Sequence, residues 1–209
     1  MSISELDFEQ IYTTFQPKIR GYLARLVGAE EAEDLTQEVF IKINKALHTF
    51  KQDSKLSTWI YQIATNAGID RMRCRSFKQA GAELQHLTES DLHGKNARSS
   101  KRAQSIEEQI IREEMSECIQ DFVATLPDNY RTVIILSEME GLKNSDIAAI
   151  LGLSVSTVKI RLHRAREKLK ELLVANCNFY RTDCCGRLAC EPKGTMPPKN
   201  KPLPQDTKN

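Results

Sequence analysis

Two groups of residues in this chain have the types and spacing to do chemistry. Cys177, Cys184, Cys185 and Cys190 fall within fourteen residues, and the stretch from Lys159 to Lys170 carries six Lys or Arg against the single acid Glu167. Thiols in such a run could hold a soft metal ion, pair reversibly as a disulfide (Cys177 with Cys190, for example), or stay inert. Structural zinc sites usually place two to four residues between paired cysteines. The gaps here are six, zero and four residues. Side chains of the adjacent Cys184 and Cys185 diverge, so a cuprous site with two or three thiolates fits the run better than a tetrahedral ion. Cys74 and Cys118 stand far away inside helical patterns. Catalysis finds no support: there is no Walker-type glycine loop, no His-Glu-x-x-His and no paired nucleophile and base. The four histidines, His48, His86, His93 and His163, are scattered. No cofactor is expected to be required, and a metal ion at the four tail cysteines is the one addition the sequence suggests.

The basic stretch belongs to a helix-turn-helix pattern. Ser145 to Leu151 has a short helical pattern, Gly152-Leu153-Ser154 breaks it, and a longer helix starts at Val155 with Ser154 placed to cap it. Small Ala148 allows close helix approach, Gly152 takes the turn, and Val158 fills the shared core. Val158, Leu162, Ala165, Leu169 and Leu172 recur at helical steps as a buried stripe, leaving Ser156, Lys159, Ile160, His163 and Arg164 on the opposite face. A basic amphipathic helix alone is usually a solvated face. With the turn and the stripe beside it, the pattern points to a helix seated in a phosphate-lined major groove.

The elements that must position these groups are helical throughout. At 209 residues, 40% hydrophobic and 28% charged, the chain has room for one large or two small domains. No apolar run approaches the ~20 residues a bilayer requires, and Glu5, Asp7 and Glu9 stand where a signal peptide would be basic, so membrane insertion is not expected and a cytoplasmic location is. Charge is uneven. Residues 1 to 40 hold eight acids and three bases, whereas Lys159 to Lys170 has a local net of +5 in a chain whose total is +2. One end looks made for protein, the other for nucleic acid.

Residues 5 to 28 read as a pair of helices around Pro17, ended by Gly28. In the next helix Leu35, Val39, Ile43, Ala46 and Leu47 face a core, and Asp34, Gln37, Glu38 and Lys42 lie outside. A polar loop around Lys55 leads into a helix whose buried side is Ile60, Ile63, Ala64 and Ala67. Its outer side takes Trp59, Tyr61 and Asn66 with a basic stripe of Arg71, Arg75 and Lys78, a composition suited to stacking bases and tracking a single strand. Taken alone, Trp59 and Tyr61 read rather as ordinary core residues. Periodicity fails from Gln79 to Arg102, which marks a linker. A capping box at Ser105 and Glu108 opens a helix running to about Thr125, Pro127 opens another bearing Val133, Ile134 and Leu136, and Gly141 leads into the helix-turn-helix. Beyond Ala175 the chain turns to cysteines, then Pro and Lys, and is expected to be largely disordered.

The blocks EDLTQEVFIKI (Glu33 to Ile43), STWIYQIATNAGIDRMR (Ser57 to Arg73), LPDNYRTVIIL (Leu126 to Leu136) and STVKIRLHRAREKL (Ser156 to Leu169) together resemble bacterial RNA polymerase sigma factors of the extracytoplasmic-function group. The likeness covers residues 8 to 78 and 105 to 173. It implies an all-α chain of two small helical domains: sigma region 2 at 5–78, a flexible linker at 79–104, sigma region 4 at 105–175, and a cysteine-bearing tail at 176–209. It further implies that Asp34, Gln37 and Glu38 dock on core polymerase, and that the loop bearing Lys55 captures a flipped promoter base. Trp59, Tyr61, Asn66, Arg71, Arg73 and Arg75 would handle the melted strand. Ser156, Thr157, Lys159, Ile160, Arg161, His163, Arg164 and Arg166 would read the distal promoter element as duplex. An anti-sigma factor is a further partner that the resemblance implies.

Two places depart from the family pattern. Lys143-Asn144-Ser145-Asp146 replaces the usual capped start of the first helix-turn-helix helix, leaving Asn144 or Ser145 to cap it, and typical members lack the cysteine tail. The reading is a non-enzymatic promoter-specificity subunit. Its rival is a free-standing helix-turn-helix regulator, metal- or redox-responsive through the tail, which would need neither an acidic docking helix nor a base-stacking one.

Overall fold

The computed structural model describes residues 8–50, 54–81, 118–181 and 188–193, without the side chains of 76–81 and 188. Lys51 to Asp53, Lys78 as a side chain, linker residues 82–104, Ser105, Glu108, Cys184 and Cys185 lie outside these, while residues 79–81, expected in the linker, continue the last helix of the first domain. Contacts divide the chain into two units, Met1–Gly94 with Ile135–Ile160 and Lys95–Ile134 with Arg161–Asn209. Helices make up nearly all of the described residues, with one small two-stranded sheet. No described helix is long and apolar enough to cross a membrane.

In the first unit, α1 (Phe8–Val27), α2 (Ala29–Ala46) and α3 (Leu56–Gly81) pack on one another. The expected pair of helices before Gly28 is the single helix α1, which runs through Pro17. Proline removes one helical hydrogen bond, but Pro17 and Thr13, whose carbonyl loses that donor, are both exposed, so water can replace it. Ile19, Tyr22, Leu23 and Leu26 from α1 are buried, as are Leu35, Val39 and Ile43 from α2 and Ile60 and Ala64 from α3. Each large apolar side chain so buried contributes roughly 1.5–3 kcal/mol. Ala46 and Leu47 at the end of this stripe are only half-buried. Helices α1 and α3 meet at Gly68, where a Cβ would lie 2.6 Å from Leu26 Cδ2, so no larger residue fits without displacing the Leu26 side chain. Beside it the Tyr22 and Thr65 hydroxyls hydrogen-bond at 2.9 Å, which gives the buried phenol a partner.

The same unit contains a π-helical turn (Ile135–Met139), α6 (Asn144–Leu151) and the first turns of α7 (Val155–Asn176). Glu140 follows the π-turn and is nearly buried. It accepts from Arg25 at 2.6 Å and from the Tyr61 hydroxyl at 2.5 Å.

The second unit holds α4 (described over 118–125), α5 (Asp128–Ile134), the remainder of α7 and a hairpin. Its buried side chains include Phe122, Val123, Leu126, Val133, Ile134, Leu162 and Ala165. The tail departs from expectation. After α7, strand β1 (Cys177–Arg181) pairs antiparallel with β2 (Leu188–Pro192), Phe179 opposite Cys190. The hairpin is tied back to α7: the Lys193 amide donates to the Asn176 carbonyl at 2.8 Å and its ammonium to the Val174 carbonyl at 2.6 Å. A cation on the last carbonyls of a helix also complements the negative end of its dipole. Cys177 and Ala189 are buried, which anchors both strands.

Candidate nucleic-acid interface

The helix-turn-helix is built as its residue types dictate. Helix α6 ends at Gly152, left-handed at φ 64° and ψ 35°, and the Gly152 and Leu153 amides both reach back to the Ala148 carbonyl. Only glycine takes that conformation without strain, so the chain can reverse here and start α7 at once. Ser154 caps α7: its Oγ accepts from the Thr157 amide at 3.1 Å and lies 2.8 Å from both the Ser156 and Thr157 hydroxyls. The start of α6 differs from expectation. Its N-cap position is Lys143 in extended conformation with no side-chain cap, so neither Asn144 nor Ser145 performs that task.

Val158, Leu162 and Ala165 are buried, while Leu169 and Leu172 are half-buried, so the apolar stripe fades toward the end of α7. Ser156, Lys159, Ile160, His163, Arg164 and Arg166 are exposed, with Thr157 and Arg161 intermediate at the margins. Ile160 is 54% exposed in the middle of that face. An apolar side chain left in water among bases fits contact with a thymine methyl, the bases supplying donors to base edges and phosphates.

The second expected surface, on α3, is partly reassigned. Tyr61 is buried, makes an edge-to-face contact with Tyr22 and donates its hydroxyl to Glu140; it faces the core rather than solvent. Burial, then the Glu140 carboxylate, pushes its pKa well above the ordinary phenol value. Trp59 is half-buried against Phe50, with ring centroids 5.2 Å apart. Asn66 and Arg73 are exposed. Arg71 and Arg75 do not form an open basic stripe. Arg71 bridges Glu31 at 3.3 Å and Glu38 at 2.9 Å, and Arg75 meets Glu31 at 3.8 Å and donates to the Val27 carbonyl. Helical spacing shows that the two arginines share a face; it does not show that the face looks toward acids one heptad apart on α2. Lys55 is exposed and lies 3.4 Å from Asp146.

Asp34, Gln37 and Glu38 are exposed on α2, as expected, and the same outer side carries Ile41 at 55% exposure. An acidic helix face with an isoleucine in it suits a protein partner, and the apolar member went unremarked in the sequence because it breaks the stripe.

Cys184 and Cys185 lie outside the described residues, and among the described residues no group of three His, Cys, Asp or Glu is arranged to hold a metal ion. Cys177 is buried, while Cys118 of α4 and Cys190 of β2 are half-buried, and all are free thiols. Burial, then the neighbouring Cys177 and Cys190, pushes the Cys118 thiol up to about 11, and burial, then Cys177, raises Cys190.

Comparison with known proteins matches two family descriptions in order, Sigma-70 region 2 over residues 11–77 and Sigma-70, region 4 over residues 116–169. The chain is 36% identical over 169 residues to the ECF RNA polymerase sigma factor SigW of Bacillus subtilis, covering 79% of this chain and 88% of that protein. It is 34% identical over 167 residues to the RNA polymerase sigma-H factor of Pseudomonas aeruginosa, covering 79% and 86%. Among solved structures it resembles the sigma factor RpoE from Bartonella quintana, crystallised with the anti-sigma factor NepR, at TM-score 0.61 and 25% identity over 80% of this chain and 97% of that one. It shares its fold with CnrH, solved with the cytosolic domain of CnrY, at TM-score 0.56 and 23% identity over 80% and 88%. Both family matches end before the cysteine hairpin.

Proposed function

The chain belongs to the extracytoplasmic-function group of RNA polymerase sigma factors, and from that membership we infer that it is the promoter-specificity subunit that joins core polymerase to a two-part promoter. The observation that carries this reading is the capped, glycine-turned α7, whose exposed face sets Ile160 among Lys159, His163 and Arg164. Basic side chains there hold the phosphate backbone and reach base edges of the distal element, while α2 presents Asp34, Gln37 and Glu38 to polymerase. On α3, Asn66, Arg73 and the open part of Trp59 meet unpaired bases of the near element. Stacking is worth ~1–3 kcal/mol per base, enough to matter in melting. The subunit supplies recognition and no catalysis of its own, it works in the cytoplasm where polymerase is, and an anti-sigma factor is a fitting regulator because a sigma factor of similar structure was solved with one.

The test is run-off transcription from a genomic promoter pool with purified core polymerase. Discrete transcripts that need the added chain, together with its stoichiometric retention on core polymerase, are expected. Tight duplex binding by the chain alone, with no retention on polymerase, would instead identify a free-standing regulator.

A further inference from the structure

Two arginines expected at the melted strand are placed by the fold beside the docking helix instead. Trp59, Asn66 and Arg73 recur every seven residues and share one face of α3. Arg71 and Arg75 each stand two residues from Arg73, about 200° around the helix, so they lie off that face. What they meet is a chain of charges along α2. The Val27 carbonyl, at the end of α1, accepts from Arg75 Nη1 at 3.3 Å, and the same nitrogen lies 3.8 Å from Glu31 Oε1. The other Glu31 oxygen, Oε2, accepts from Arg71 Nη1 at 3.3 Å, and Arg71 Nη2 donates to Glu38 Oε1 at 2.9 Å. One end of the chain is fixed to backbone, and the other is a carboxylate on the docking face.

Two properties decide what this chain is suited to. Its four side chains carry two positive and two negative charges, so as a group they offer no net attraction to the phosphates of a strand. Glu38, meanwhile, keeps room for a second partner. A carboxylate has about four lone-pair sites on its two oxygens, and Arg71 takes only Oε1. The Glu38 side chain is 50% exposed, against 29% for Glu31, so it is the end that a partner can reach. Among the described residues it is also the one member of the trio Asp34, Gln37 and Glu38 held in an ion pair. Its carboxylate is therefore oriented before any encounter, which lowers the entropy lost when an interface fixes it.

We propose that Arg71, braced by Arg75 through Glu31, is a positioning residue for polymerase docking and not a strand contact. It holds Glu38 by one oxygen and leaves the other for a cation on core polymerase. The inference rests on the reading of α2 as the docking face. It takes two arginines out of the strand-handling set and leaves that task to Trp59, Asn66 and Arg73.

The experiment uses the full-length chain and purified core polymerase, and reads two quantities. One is the chain concentration needed for retention on polymerase; the other is the affinity of holoenzyme, assembled at saturating chain, for a premelted promoter taken from the run-off assay. Arg71→Gln should weaken retention about two- to fivefold, the range open to an exposed ion pair, and leave the holoenzyme's affinity for the premelted promoter at the wild-type value. Arg73→Gln should do the reverse. In a Glu38→Gln background Arg71→Gln should add nothing to the docking defect, because it acts through that carboxylate. Arg71→Lys keeps a cation beside Glu38 and should recover part of the loss. Circular dichroism at the assay temperature checks that each variant is folded. Weakened binding of the premelted promoter by Arg71→Gln, with retention unchanged, would return Arg71 to the strand and overturn the proposal. So would an Arg71→Gln docking defect that is undiminished in Glu38→Gln. The two levels separate through Asp34→Lys: normal docking by that variant removes the reading of α2 itself, whereas lost docking by Asp34→Lys with full docking by Arg71→Gln removes the positioning role alone.

Discussion

Arg164 and Cys118 show how far a single side chain's surroundings define what it can do. Arg164 is exposed one turn beyond Ile160, on the face that a major groove would meet. If it reads a base, Arg164→Ala should cost ~1–3 kcal/mol in promoter affinity and relax specificity at one position of the distal element. Competition binding of the holoenzyme to single-base promoter variants measures this; an equal loss on every promoter would make Arg164 a phosphate contact instead. Cys118 carries a proton that the fold holds more tightly than the unfolded chain does, since burial and two neighbouring sulfurs raise its pKa from 9.0 to about 11. Below pH 9 both states keep the proton and stability is unaffected. Between pH 9 and about 11 the unfolded chain has released it while the folded one has not, so folding stability falls as pH rises. Urea melts of wild type and Cys118→Ser across that range should show a steeper decline in wild type.

Helices α2, α3 and α7 separate what a sequence pattern reveals from what it conceals. The cap of α7 was legible because Ser154 acts on an amide three residues away. Ser154→Ala should therefore cost about 1 kcal/mol of stability, read as a lower melting temperature, and should weaken promoter binding through fraying at Ser156 and Thr157. The faces of α2 were legible for the same reason, periodicity being local. What α3's arginines touch was not, because Arg71 and Glu38 are 33 residues apart in sequence and both sit on faces that look solvated. This pairing changes the docking experiment. Asp34→Lys should abolish retention on core polymerase while leaving the melting temperature unchanged. Glu38→Lys places a second cation beside Arg71, so it should also lower the melting temperature, though modestly, since Glu38 is half exposed and such pairs are worth ~1 kcal/mol or less. An Asp34→Lys variant that still transcribed normally would remove α2 as the docking face. The hairpin was concealed for a different reason: a five-residue strand with a single buried side chain offers no alternation to read.

Across the molecule, the least legible feature is the burial of Glu140, which lies 115 residues from Arg25 and 79 from Tyr61 in sequence yet is held by both. In the sequence it is one more acid before a glycine turn. In the fold its carboxylate is 6% exposed and Arg25 is 20% exposed, so neither charge is well solvated without the other. Removing one partner of a buried ion pair leaves the other uncompensated, at a cost of about 3–5 kcal/mol. Arg25 keeps its bond to the Gly21 carbonyl, which places Glu140→Ala near the lower end, at about 3 kcal/mol. Glu140→Gln keeps an acceptor for the Tyr61 hydroxyl and loses only the charge, so it should fall between wild type and Ala. Trp59, the chain's single tryptophan, is in the same contact unit and packs on Phe50, so its fluorescence follows this unit in urea without mixing in the other. The Arg25→Ala, Glu140→Ala double variant should be less destabilised than the two single losses added together, because each single change already strands the other charge. If the two losses simply add, or if Glu140→Ala unfolds at the wild-type urea midpoint, then Glu140 contributes packing alone and the charge pair does not hold α1 to the segment that opens the helix-turn-helix.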